Sequence, residues 1–173
     1  MTQSKPGRAL VIGGSIAGLI AGNLLHRAGW DVHVFERASG DLEGRGAGIT
    51  IRPGLVSSFQ AAGVDETEQS LGIELPARIA LDRAGGVIVE RVFAQSMTSW
   101  GRLYQALKNV YPADRYHGGM ALERVEQRTD AVTAVFAGGR RVDGDLLIGA
   151  DGLRSTVRGQ LLPELQPYSS GYL

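Results

Sequence analysis

The sequence predicts a doubly wound α/β fold, and three observations carry that prediction. Near the start, a short apolar run, a glycine-rich turn, a helical segment, a second apolar run and a terminal acid follow one another in that order. Near the end, the almost continuous apolar run Asp145–Ala150 closes on Asp151 and a glycine, as a buried parallel strand does. Between them lie short runs separated by Gly and Asp clusters, which read as a hairpin and an antiparallel meander.

The opening unit is the most specific. Arg8–Ile12 reads as a buried strand, Gly13-Gly14-Ser15-Ile16-Ala17-Gly18 as a tight turn, and Ser15 to about Ala28 as a helix. Asp31–Phe35 reads as the next strand, with Glu36 at its end. Strand, glycine turn, helix, strand and acid form the arrangement that holds the pyrophosphate and ribose of a dinucleotide. Gly13 lets the backbone leave the strand in dihedrals closed to residues with a Cβ. Ser15 stands where the fingerprint usually has Gly, and its hydroxyl can hydrogen-bond a phosphate. Gly18 lets the helix pack closely on the sheet. The helix then turns its free N–H groups and positive dipole end toward the ligand. Glu36 is placed to accept hydrogen bonds from both ribose hydroxyls. The competing reading is a glycine turn used only for packing.

The remaining elements follow in order. Pro53–Ala62 reads as a short helix, with Pro in its first turn and Gly63 closing it. Asp65–Leu75 fits no single element. Ala77–Asp82 and Val87–Phe93 read as strands of a hairpin around Arg83-Ala84-Gly85-Gly86. Ser99–Tyr111 reads as a helix with Leu103, Leu107 and Val110 on one face and Pro112 beyond its end. Ala121–Gln127, Ala131–Phe136 and Arg140–Val142 form the meander, and Arg154–Leu161 a last helix.

Two further segments bear on a ligand. Asp151 sits where a buried strand ends and a helix begins, and ligands of open α/β sheets lie outside the carboxyl ends of the strands. It either touches a cofactor or only caps the following helix. Arg37, with the loop Glu43-Gly44-Arg45-Gly46-Ala47-Gly48-Ile49, follows the ribose-binding strand. Arg45 can pair with a phosphate and the glycines can admit a flat ring, against the alternative of a solvated loop. Arg102 lies in the first turns of the Ser99 helix, where an exposed charge is the plainer reading. His26, His33 and His117 have no ligand spacing to each other or to acids, so no metal is assigned.

Composition narrows the class. The 173 residues suffice for a sizeable core, and 18 basic residues balance 18 acidic ones, which gives no support for nucleic-acid or membrane-surface binding. There is no Cys, so disulfides and cysteine nucleophiles are excluded, and a cytoplasmic setting is expected. The uncharged stretch Ala9–Leu25 resembles a leader or a span, but Gly13-Gly14-Ser15 and Asn23 interrupt it. Gly13-Gly14-Ser15-Ile16-Ala17 also resembles a nucleophile elbow. It follows the first strand, however, with no earlier strand to supply half the oxyanion hole, and the final His is His117, so that reading is discounted.

Together these motifs resemble the N-terminal part of FAD-dependent aromatic hydroxylases, the p-hydroxybenzoate hydroxylase-like flavoprotein monooxygenases. The matching segments are Val11–Leu19, Glu36-Arg37, Gly44–Ile49, Ser99–Tyr104 and Gly149–Gly152, in order. The Gly-Gly-Ser turn and the Gly-Arg-Gly-Ala-Gly loop look most like the 2,6-dihydroxypyridine 3-hydroxylase branch. The resemblance implies a Rossmann-like, glutathione-reductase-type FAD-binding domain over residues 1–163. Its hairpin, 77–93, reaches toward an incomplete substrate domain whose next segment starts at 164–173.

The resemblance also implies site roles. Gly13, Gly14, Ser15, Ile16, Ala17 and Gly18 would hold the pyrophosphate, Glu36 the adenosine ribose, and Arg37 would lie beside it. Arg45 and Arg102 would contact the cofactor further along, Val125 would approach the adenine through its backbone, and Asp151 would serve FAD and the nicotinamide cofactor. No residue is assigned as a catalytic acid or base. The family reaction uses NADH or NADPH, FAD and O2 to hydroxylate a small aromatic or hydroxypyridine-type ring. Family members are much longer than this chain, so a truncated hydroxylase is expected, with exposed apolar surface that favours self-association. The alternative is a stand-alone dinucleotide-binding or partner-docking module without turnover.

Overall fold

The computed structural model describes residues 7–42, 44 and 48–171. Its centre is a parallel sheet of four strands in the order β10-β1-β2-β6: β1 (Arg8–Ile12), β2 (Asp31–Phe35), β6 (Tyr116–His117) and β10 (Leu146–Gly149). Successive side chains of a strand point to opposite faces, and here both faces are covered. Ala9 and Val11, with Val32 and Val34, pack under α1 (Ile16–Arg27), α2 (Pro53–Ala61) and α4 (Trp100–Asn109). Leu10, Ile12 and Phe35 face the other way, onto a meander of β7 (Leu122–Gln127), β8 (Val132–Phe136) and β9 (Arg141–Gly144), and onto Val157 of α5 (Thr156–Leu161).

Polar groups tie the helical layer to the sheet. Buried Asn23 donates to the carbonyls of Leu19 and Leu107, at 2.9 and 3.1 Å, and so links α1 to α4. The Tyr111 hydroxyl donates to the Val32 carbonyl at 2.9 Å.

A second sheet, in the order β3-β5-β4, stands apart. It comprises β3 (Gly48–Thr50), β4 (Ile73–Leu81) and β5 (Val87–Ser99), all antiparallel. The ambiguous Asp65–Leu75 stretch holds the short α3 (Glu68–Leu71) and the first three residues of β4, so the hairpin is longer than the 77–93 expected. The expected doubly wound order is present. Two strands were not expected: β3, inside what reads as a glycine loop, and β6, whose two residues are too few to show a period.

Candidate functional site

Three parallel strands deliver their carboxyl ends to one cavity of about 380 Å³. Gly13 follows β1, Glu36 and Arg37 follow β2, and Ala150, Asp151 and Gly152 follow β10, and all of them line it with Ser15. Trp100, Leu42 and Met120–Leu122 complete much of the wall.

The turn between β1 and α1 has the geometry the motif demands. Gly13 holds φ +107°, and a Cβ there would stand 2.3 Å from the Ala150 carbonyl oxygen. A Cβ on Gly18 would stand 1.8 Å from the Gly13 carbonyl oxygen, so the third glycine is required by the backbone of the first. Ser15 occupies the N-cap position of α1 without a side-chain cap bond, leaving the first-turn amides uncapped by a side chain. Ile16 turns into the core below, and Ala17 is exposed on the helix.

Glu36 is buried at the floor of this corner. Its Oε2 accepts from the Gly14 N–H at 2.8 Å and its Oε1 from the Ala38 N–H at 2.9 Å. The acid read as a ribose ligand therefore also braces the glycine turn. Each oxygen keeps further acceptor capacity, since a carboxylate offers about four acceptor sites, and Glu36 lines the cavity. The Glu36 backbone is paired as well: its N–H donates to the His117 carbonyl and its carbonyl accepts from Met120 N–H, both at 2.8 Å. This pairing brings Met120–Leu122 into the wall.

Asp151 is held by the helix that follows it and also faces the cavity. It lines the cavity, and it caps α5 by accepting from Ser155 Oγ at 2.5 Å and from the Thr156 and Val157 amides at 2.7 and 3.2 Å. Arg37 is exposed at the rim.

Two of the expected residues lie away from this cavity, and a third falls outside the described residues. Arg102 does not reach this cavity: its guanidinium donates to the Ser70 carbonyl and lies 3.7 Å from Glu66, beside a separate concavity. Trp100, two residues earlier and at the first position of α4, lines the cavity instead. Val125 is also outside the cavity. Its side chain is buried in the meander core, and its N–H and carbonyl are both held by the Gln160 carboxamide, at 2.8 and 2.5 Å. A register irregularity between Leu122 and Arg124 separates Val125 from the three residues that do line the wall. Arg45 lies outside the described residues.

Sequence reading missed Trp100, Met120–Leu122, Arg154 and Thr156. The glycine pair Gly118-Gly119, which lets the chain bend back along Glu36, was the available signal for Met120–Leu122. Among the described residues there is no cluster of metal-ligating side chains, and no helix is long and apolar enough to cross a membrane.

Residues 8–169 match the family model described as FAD binding domain. The chain is 34% identical over 169 residues to 2,6-dihydroxypyridine 3-monooxygenase of Paenarthrobacter nicotinovorans, covering 96% of this chain and 41% of the relative. The solved structure of 2,6-dihydroxypyridine-3-hydroxylase from Arthrobacter nicotinovorans superposes with a TM-score of 0.83 at 32% identity, covering 97% of this chain and 42% of that one. Klebsiella pneumoniae HpxO, solved in complex with FAD and uric acid, superposes at 0.75 with 27% identity, over 90% and 42% of the two chains. The chain thus spans less than half the length of the relatives it matches.

Proposed function

This chain belongs to the FAD binding domain family, and on that premise we propose that it supplies the FAD-binding portion of a flavin-dependent monooxygenase. The reaction we propose is hydroxylation of a small aromatic or hydroxypyridine-type ring with a reduced nicotinamide cofactor and O2. The observation that carries the reading is the convergence of Gly13, Glu36 and Asp151 at the carboxyl ends of three adjacent parallel strands.

The residues present fit a dinucleotide. Gly13 and Gly18 let the turn close on its own backbone, and the first-turn amides of α1 carry the positive end of its dipole. In this reading the amides of Ser15, Ile16 and Ala17 hold the diphosphate. The free lone pairs of Glu36 take the ribose hydroxyls, and Arg37 stands at the rim beside the adenosine. Asp151, fixed by its capping bonds, presents its remaining acceptor capacity to the cofactor. Trp100 and Leu42 give the wall an apolar face that excludes water. Bound FAD supplies the redox chemistry, and the protein contributes binding, orientation and electrostatics.

We place the domain boundary near residue 163, with the β4–β5 hairpin reaching to the substrate side, and the working compartment in the cytoplasm, where reduced nicotinamide is supplied. Titration of the purified chain with FAD, followed by flavin fluorescence and thermal stability, tests the proposal. Saturable binding that raises the melting temperature is the expected result. A folded chain that binds NADH and leaves FAD free would overturn it.

A further inference from the structure

A line of side chains runs from α4 to the back of the glycine turn. Lys108 Nζ lies 3.0 Å from the Tyr104 hydroxyl, which lies 3.4 Å from the Tyr116 hydroxyl, which lies 3.3 Å from the Gly14 carbonyl. The two ends fix its direction. A carbonyl only accepts, so Tyr116 donates to Gly14. With its one proton used, Tyr116 accepts from Tyr104, and Tyr104 in turn accepts from the ammonium, which only donates. Lys108 also sits 4.4 Å above the Tyr116 ring centroid, a cation–π contact that holds the ring in place.

We propose that the Tyr116 hydroxyl is a positioning group for the diphosphate turn: by holding the Gly14 carbonyl it sets the Gly14–Ser15 peptide plane, so that the Ser15 amide is aimed at the cofactor. This rests on the FAD reading above. In a trans peptide the carbonyl and the next N–H point in opposite directions, and no cis bond occurs among the described residues. With the Gly14 carbonyl directed at Tyr116, the Ser15 N–H is directed away from it, and Ser15 is a residue of the cavity lining. Glu36 performs the same service one plane earlier, through the Gly14 N–H. Two consecutive peptide planes are thus held by one side chain from the end of β2 and one from β6.

The same geometry explains a glycine that the fingerprint does not require. A Cβ on Gly14 would stand 2.3 Å from the Tyr116 hydroxyl oxygen, so Gly14 makes room for the hydroxyl. Burial, and then the hydrogen bond with Tyr104, hold the Tyr116 phenol far above its ordinary range, so it remains a donor wherever the protein is folded.

Tyr116→Phe keeps the ring and removes the donor. The expected result is an FAD Kd raised about three- to ten-fold, with the melting temperature of the free chain lowered as well, since the Gly14 carbonyl loses its partner there too. The Ser15 amide should shift in 15N–1H spectra and exchange faster with solvent in the ligand-free protein. Unchanged FAD affinity would overturn the proposal, as would weaker binding with an unperturbed Ser15 amide, which would mark a packing effect. If the unsubstituted chain binds no FAD, the functional reading fails separately. The Ser15 amide of the free protein then decides the positioning role: faster exchange in Tyr116→Phe supports it, and identical exchange overturns it.

Discussion

Gly13 and Gly85 both hold positive φ, +107° and +86°, yet they sit in opposite surroundings. Gly13 turns the chain against the Ala150 carbonyl under a fully covered sheet, whereas Gly85 turns the β4–β5 hairpin with no atom near the place of a Cβ. The strands differ in the same way. The apolar residues of β1 are almost wholly buried, while Ile79, Leu81, Val89 and Val92, equally suited to a core, are exposed on the hairpin. A residue type sets what a position can tolerate. Its neighbours set what a change there costs, so the nucleotide corner and the hairpin should respond differently to the same substitutions.

The largest contrast is expected at the two glycines. Gly85→Ala meets only backbone strain, about 1 kcal/mol. Gly13→Ala adds a collision with backbone, for a total loss of about 3 kcal/mol, and should abolish FAD binding. Urea unfolding midpoints measure both. Equal losses would mean that the turn relaxes freely and that the close approach to Ala150 does not constrain it.

The acids come next. Glu36 is buried on two amides, and Glu90 is exposed on β5. Glu36→Ala leaves the Gly14 and Ala38 N–H groups without their partner, so a stability loss of about 2 kcal/mol is expected. FAD affinity should fall by a further 1–3 kcal/mol, roughly, if the same carboxylate also accepts from the ribose. Glu90→Ala should stay within about 0.5 kcal/mol. Calorimetric titration of Glu36→Ala with FAD separates bracing from ligand contact: lost stability with unchanged affinity would confine Glu36 to the turn.

A pH dependence sharpens the comparison further, because the hairpin contains no histidine. Beneath the central sheet, His33 Nδ1 lies 3.0 Å from His117 Nε2, and Arg115 donates to His33 Nε2 at 3.2 Å. A ring nitrogen that accepts from a guanidinium carries no proton, so His33 is neutral and donates from Nδ1 to His117, which is then neutral as well. Burial lowers both pKa values below the ordinary 6.5. Arg8 adds to the lowering at His33, as do His33, Arg140 and Arg115 at His117, while Asp114 opposes it at both. Asp31, 3.4 Å from His33 Nε2, is shared with Arg8 and Arg115. The unfolded chain therefore binds more protons just below pH 6.5, and stability rises with pH through that window. Stability should be full above 6.5 and decline as pH falls below it toward the lowered values. His33→Gln combined with His117→Gln should flatten that decline. A decline that persists unchanged in the double variant would place its origin elsewhere.

These contrasts also mark what was legible in the sequence. The β1–α1–β2 unit was read almost to the residue, because its signals are local: a strand, a turn that admits only glycine, a helix and an acid within one short stretch. The family followed from the order of such stretches, and the match over residues 8–169 agrees with it. The wall of the cavity was less legible. Trp100 and Arg102 are two residues apart on one helix, and only the start of α4 decides which of them faces inward. Val125 and Leu122 are three apart on one strand, and an irregularity between them decides the same question. Tyr116 reaches Gly14 across 102 residues of chain, and no local pattern encodes that meeting.

The hairpin provides the smallest expected effect on stability and the most direct break of the comparison. Val92 is 82% exposed and pairs across the strands with Ala77, so replacing it removes little packing from the folded chain. Val92→Lys should leave the urea midpoint within about 0.5 kcal/mol of the unsubstituted protein. If the exposed apolar surface drives self-association, the same change should lower the sedimentation-derived association constant. The charge would have to be desolvated in any apolar contact between copies, at a cost that burial of the valine does not carry. A destabilised monomer would show that Val92 packs within the fold. Unchanged association with unchanged stability would show that whatever brings copies together lies off the hairpin, among the other exposed apolar residues such as Leu153 or Tyr168.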